Sequence, residues 1–173
     1  LSSILQKINQ KEKKATIFCN EVKNPERYGV LNLDNLGNPK SIVEKPENPE
    51  TNLAVTGLYF YDERAVDFAK SLSPSKRGEL EISSLNQLYL EKKSLDVEVL
   101  GRGFAWLDTG THESLLEANQ FVASLQERQG FKISCPEEIA WRMGYVTSEE
   151  LESIGKKMGK NEYSRYLLGL IKK

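Results

Sequence analysis

Residues 53–61, LAVTGLYFY, restrict the fold more than any other stretch. Nearly every position is apolar or β-forming, and a Pro-punctuated polar loop, PENPETN, stands directly before it. The run predicts a strand buried on both faces, and such a strand belongs inside a covered sheet. Its neighbours fit that demand. ATIFCNEV (15–22) is β-branched and aromatic and predicts a second strand. VLNLD (30–34) and KSIVEK (40–45) alternate around the turn NLGNP, which predicts a hairpin with one wet face. DERAVDFAKSL (62–72) sets Ala65, Val66, Ala69 and Leu72 on one helical face, with Asp62 placed as N-cap. A second helix runs through Ile82, Leu85 and Tyr89. SLDVEVLGRG (94–103) and FAWLD (104–108) read as strands, and 111–129 as a helix with Leu115, Ala118, Val122 and Leu125 on one face.

The last third changes character. Helical patterns occupy 136–144, 148–159 and 162–173, the second capped at Ser148 and the third carrying Tyr163, Tyr166, Leu167, Leu170 and Ile171 in one stripe. The amino-terminal LSSILQKINQKEKK is an amphipathic helix through Ile4, Leu5 and Ile8. Strands with crossover helices followed by a helical tail predict an α/β core, over 1–130, with a helical appendage over 131–173.

Composition excludes several function classes. A net charge of −1 gives no general attraction to nucleic acid or anionic membrane. No apolar run approaches the roughly 18 residues of a membrane span. The start lacks both a signal-peptide layout and an initiator Met, so a fragment or processed chain of a cytoplasmic protein is expected. Cys19 and Cys135 belong to no CxxC pair, which argues against a zinc knuckle and for two reduced structural thiols.

A few residues could carry chemistry. In VEKP, Lys45 can meet a phosphate as a point charge and Glu44 can accept sugar hydroxyls; an exposed edge pair is the other reading. In SKRGELE, Arg77 beside Gly78 can present its guanidinium to a phosphate, or be a solvated loop charge. Tyr28 and Gly29 would let a ligand approach closely, or form a turn. The lone His112 has no partner at metal-ligand spacing and reads as a first-turn helical residue. Asp108 stands at the carboxyl end of a predicted strand, where open α/β sheets bind ligands, and its hard oxygen suits Mg²⁺. A helix cap by Asp108 or Thr109 explains it equally well. The residues alone reach an α/β domain with a phosphosugar and Mg²⁺ site.

The motifs together go further. NPERYGVLNLD, SIVEKP, AVTGLYFYD, RGELEISSLNQLYLE, LGRGFAWLDTGTHESLLEA and RQGFKISCPEEIAWRMGY occur in this order. They closely resemble the bacterial glucose-1-phosphate thymidylyltransferases of the dTDP-rhamnose pathway, over essentially the whole chain. The resemblance implies the carboxyl-terminal part of a Rossmann-like nucleotidyltransferase sheet. It implies formation of dTDP-glucose and pyrophosphate from dTTP and glucose 1-phosphate, by in-line attack on the α-phosphate with Mg²⁺. It implies Asp108 as the Mg²⁺ ligand, Lys45 and Arg77 on the sugar phosphate, and Glu44 on glucose hydroxyls. Tyr28, Gly29 and Val55 would line the sugar pocket. A second, regulatory nucleotide site at a subunit interface matches Gly101, Arg102, Ser134, Glu138 and Ile139, in a homotetramer. The family's Gly-rich GGxGTRL loop and GDN motif do not occur in this sequence. The expectation is that the chain starts just after them and is inactive alone. Alternatives are a uridylyl- or adenylyltransferase of the same superfamily, a non-catalytic sugar-phosphate-binding remnant, and a truncated product without a stable fold.

Overall fold

The computed structural model describes residues 5, 6, 8 and 14–172. The predicted amino-terminal helix falls almost wholly outside these; Leu5, Gln6 and Ile8 are helical. The chain divides into two compact units, Leu1–Trp106 and Leu107–Lys173. Among the described residues the first contains strands β1 (Ala15–Glu21), β2 (Gly29–Leu33), β3 (Pro39–Glu44), β4 (Leu53–Phe60) and β5 (Leu95–Val99). It also contains a 3₁₀ turn at Pro25–Arg27 and helices α1 (Ala65–Ser71) and α2 (Ile82–Glu91). The second unit holds α3 (His112–Gln129), α4 (Pro136–Arg142), α5 (Ser148–Lys157) and α6 (Glu162–Leu170). The fold class is α/β, as expected.

The strands form one mixed sheet in the order β3-β2-β4-β1-β5. β1 pairs β5 in parallel and β4 antiparallel, and β2 pairs both β3 and β4 antiparallel. Burial follows this order. Ala15, Ile17, Phe18 and Cys19 of β1 have no exposed surface. Ile17, Cys19, Leu31, Ile42 and Val55 cluster across four strands. A second cluster, Ala15 with Leu85 and Tyr89, docks α2 on the sheet.

The structure alters some sequence expectations. β2 is buried along nearly its whole length because it lies between β3 and β4; only β3, at the sheet edge, alternates in and out. LAVTGLYFY is buried at Ala54, Val55 and Thr56, but Gly57 and Leu58 are exposed. FAWLD is not a strand. The Leu100 N–H donates to Cys19 O and closes the β5 ladder, and the turn at 101–103 then leads the chain off, with Phe104 N–H to Gly101 O at 3.0 Å. Asp62 does not cap α1. The helix begins after Arg64, and Asp62 accepts the Arg64 N–H at 3.0 Å, outside the helix, together with the Arg64 guanidinium at 2.6 Å and the Tyr89 hydroxyl at 2.9 Å. The Arg64 hydrogen bond holds the Asp62 carboxyl below its usual range. Burial, with Asp62 beside it, pushes the Tyr89 phenol up to about 12.

In the second unit, Cys135, Leu151 and Leu167 are the buried centre on which α4, α5 and α6 converge. Thr147, one residue before the predicted Ser148, caps α5 in a reciprocal pair with Glu150. Ser148 Oγ accepts from Trp141 Nε1 at 3.1 Å instead.

Both cysteines are free and buried. Burial pushes the Cys19 thiol from 9.0 up to about 12. A folded pKa above the unfolded one means that the native chain holds this proton more tightly. The associated stability is therefore full below pH 9.0 and is lost as pH rises toward about 12. Native protein at pH 8 should not react at Cys19 with a disulfide dye, and labelling should appear only with unfolding by denaturant.

Candidate active site

The end of β3 delivers Glu44, Lys45 and then Pro46. Lys45 adopts a left-handed backbone, φ 42°. Its N–H still donates to Tyr28 O at 2.9 Å, extending the pairing with β2 by one residue. Pro46 has no N–H and cannot continue the ladder. The turn therefore exposes the Lys45 side chain at the sheet margin. A non-glycine residue in this region costs about 1–3 kcal/mol, and such strain concentrates at functional sites.

Arg77 reaches the same place from the loop before α2. Its Nη1 lies 3.8 Å from Glu44 Oε1 and 3.4 Å from Glu81 Oε1, and its Nη2 lies 3.1 Å from Glu79 Oε2. The loop is shaped around Ser75, whose Oγ donates to Glu81 Oε1 at 2.9 Å and accepts the Arg77 N–H at 3.1 Å. Gly78, at φ 80°, makes the turn. Three carboxylates thus hold one guanidinium, leaving the cluster short of positive charge.

Glu44 Oε2 accepts the Ser83 hydroxyl from α2. Glu44, Ser75, Glu81 and Ser83 belong to the wall of one pocket of about 380 Å³, which Ile42 and Leu72 line on the apolar side. Gly29 is buried where β2 passes beneath this pair. A Cβ there would stand 2.6 Å from Ser83 Oγ and 3.1 Å from Glu44 Oε2, so a side chain at this position would force that pair to shift. Tyr28 is half-buried, its ring edge-on to Trp106 at 5.1 Å with the Arg27 guanidinium 5.7 Å from its centre. Val55 lies in the strand core between Cys19 and Ile42.

The structure therefore brings Gly29, Glu44 and Arg77 together, with Lys45 and Tyr28 joined through the backbone. It adds Ser83, Glu81 and Trp106, which residue-level reading did not single out. Nothing local in ISSLNQLYLE reveals that Ser83 faces a carboxylate on a distant strand.

Asp108 lies in the second unit, in an irregular segment ahead of α3. It is not the cap. Thr111 is, with Ser114 N–H to Thr111 Oγ1 at 3.1 Å and Thr111 N–H to Ser114 Oγ at 3.0 Å. His112 is the first helical residue, as its position suggests. The half-buried Asp108 carboxylate accepts the Gly110 N–H at 3.3 Å. Its oxygen is the donor type that Mg²⁺ takes. Among the described residues no group of three or more His, Cys, Asp or Glu gathers to hold a metal. A lone carboxylate is compatible with Mg²⁺ only as one protein ligand, the remaining positions being taken by water or phosphate oxygens.

Of the other residues, Gly101 and the exposed Arg102 lie in the turn after β5. Ser134, at φ 53°, precedes α4. Glu138 is buried and accepts from Arg142 Nε at 2.7 Å and from the Tyr166 hydroxyl. Burial opposes its ionisation, but these hydrogen bonds prevail and lower its pKa. Ile139, one residue on, is 55% exposed.

Two stability predictions follow from this geometry. Gly29→Ala should cost about 1–3 kcal/mol by overpacking and displace Ser83 from Glu44; urea titration measures it, and a cost near zero would show that the space is there. Thr111→Ala should cost about 1 kcal/mol through loss of the cap, read from the same titration.

The residues 1–124 match the family model described as nucleotidyl transferase. A glucose-1-phosphate thymidylyltransferase from Neisseria meningitidis is 59% identical over 159 residues, which is 92% of this chain and 55% of that protein. One from Xanthomonas campestris is 50% identical over 173 residues, 100% of this chain and 59% of that protein. The chain thus spans somewhat over half the length of these curated relatives. A Bacillus anthracis structure described as a glucose-1-phosphate thymidylyltransferase, solved with sucrose, superposes with TM-score 0.61 at 37% identity, covering 69% of this chain and 47% of that one. By these matches the chain belongs to the nucleotidyl transferase family.

Proposed function

We propose that the chain supplies the sugar-phosphate side of a glucose-1-phosphate thymidylyltransferase. The observation that carries this reading is the convergence of Arg77 with Glu44 at 3.8 Å, beside Lys45 on its strained turn. Arg77 and Lys45 at this strand end can donate to a phosphate and Glu44 can accept sugar hydroxyls, with Glu79 and Glu81 as the further carboxylates that hold Arg77 in place. In this reading Lys45 and Arg77 hold the phosphate of glucose 1-phosphate, Glu44 accepts from glucose hydroxyls, and Tyr28, Gly29 and Val55 shape the pocket. An oxygen of that phosphate then attacks the α-phosphate of dTTP. A new P–O bond forms, the α–β bond breaks, and pyrophosphate leaves. This chain's residues contribute by positioning and by fixed charge. Asp108 would hold Mg²⁺, which supplies charge neutralisation at the phosphates when bound.

The reading extends to regulation and assembly. Residues 1–130 form the sugar-phosphate side of the core, and 131–173 carry regulatory and oligomer contacts in a homotetramer. Gly101, Arg102, Ser134, Glu138 and Ile139 belong to a regulatory nucleotide site. The enzyme acts in the cytoplasm; among the described residues no helix is long and apolar enough to cross a membrane.

Calorimetric titration tests the core of this. The chain should bind glucose 1-phosphate, and Lys45→Ala or Arg77→Ala should each weaken binding about ten-fold or more, the size of a charge-assisted hydrogen bond. Binding of glucose as tight as that of glucose 1-phosphate would overturn the assignment of the two cations.

A further inference from the structure

Among the described residues, the strand that presents Glu44 and Lys45 is the last in the sheet, and one of its edges has no strand partner there. Such an edge is open to slippage. Helix α2 closes it at one point. Gln87 Oε1 accepts the Ile42 N–H at 2.9 Å, and Gln87 Nε2 is steadied by Glu91 Oε1 at 3.0 Å. One helical turn earlier, the Ser83 hydroxyl donates to Glu44. The two contacts have matching spacing. Residues i and i+4 of a helix are about 6 Å apart along its axis. Residues i and i+2 of a strand are about 6.6–6.8 Å apart and share a face. Ser83 and Gln87 on α2 therefore meet Glu44 and Ile42 on β3 as a matched pair of clasps. Of the two, only Gln87 grips the backbone, and a backbone contact is what fixes the strand's register against the helix.

We infer that Gln87 is a positioning residue for the sugar-phosphate site: by accepting the Ile42 N–H it sets β3 against α2 so that Ser83 meets Glu44. The inference rests on the reading of Glu44 as a sugar-binding group, but its geometric half stands without that reading. Gln87 is half-buried and lies beyond Ser83 along the pocket wall, with no direct part in holding phosphate.

Three variants of the chain test it. Gln87→Met keeps the length and removes the strong acceptor; Gln87→Ala serves the same purpose should the Met variant not fold. Gln87→Glu, always made together with Glu91→Gln so that an amide donor replaces the like charge beside it, keeps an acceptor oxygen at the same reach. In the ligand-free chain, Gln87→Met should speed hydrogen exchange of the Ile42 amide and move the Glu44 side-chain carboxyl carbon resonance, with β1 and β4 amides still protected. Gln87→Glu should restore both. Glucose 1-phosphate binding should weaken about five-fold or more in the Met variant, the size of one lost hydrogen bond, and recover in the Glu variant. A Glu44 resonance unmoved in the acceptor-free variants would overturn the inference. So would a Glu variant that behaves like Met. If the unaltered chain binds no glucose 1-phosphate, the functional reading falls, while the Glu44 resonance still decides the positioning role.

Discussion

The docking of α2 on the sheet is the contact on which the rest of the first unit depends. Leu85 and Tyr89 bury against Ala15, and each such side chain contributes about 1.5–3 kcal/mol on leaving water. Tyr61 and Phe68 pack on Tyr89 at 5.4 and 4.9 Å, which brings α1 into the same cluster. The Tyr89 hydroxyl reaches Asp62, tying the start of α1 to the end of α2. Once this apolar seam is set, the remaining side chains of α2 have fixed directions. Glu81 reaches Arg77, Ser83 reaches Glu44 and Gln87 reaches Ile42. A hydrophobic contact thus aims a polar site.

The polar site is unbalanced in charge. Arg77 stands among Glu44, Glu79 and Glu81, of which Glu81 is buried and Glu79 largely exposed. Exposed pairs are worth little, so the Glu79 contact is weak, and the guanidinium is held mainly by Glu81. The Glu79 contact is therefore the one most easily exchanged for solvent or another acceptor. Lys45 is placed differently, by a left-handed turn rather than by partners. The neighbouring backbone bond to Tyr28 O retains this conformation against its intrinsic cost.

Much of the fold was legible. The strand runs, the helix starting after Thr109 and the three-helix tail all follow from periodicity, and the order of motifs pointed to the family. FAWLD was misread because a short run around two β-forming aromatics, Phe104 and Trp106, becomes a strand only if another strand is there to pair with it. Asp62 was misread because a carboxylate ahead of a helix has two uses. Here the buried Tyr89 and the adjacent Arg64 outcompete the helix N-terminus. Asp108 was ambiguous for the same reason, and Thr111 resolved the capping half of the question by doing the capping itself.

Local sequence determined most of the strands and helices, though not FAWLD, as well as which residues carry charge and that Glu44 and Lys45 end a strand at a proline. Those properties depend on neighbours within a few positions. Only the tertiary structure decided that Arg77, Ser83 and Gln87 converge on that strand end, and that a side chain at Gly29 would force Ser83 and Glu44 to shift. Those contacts join residues far apart in the chain, and they exist because burial of Leu85 and Tyr89 fixes one face of α2 against the sheet.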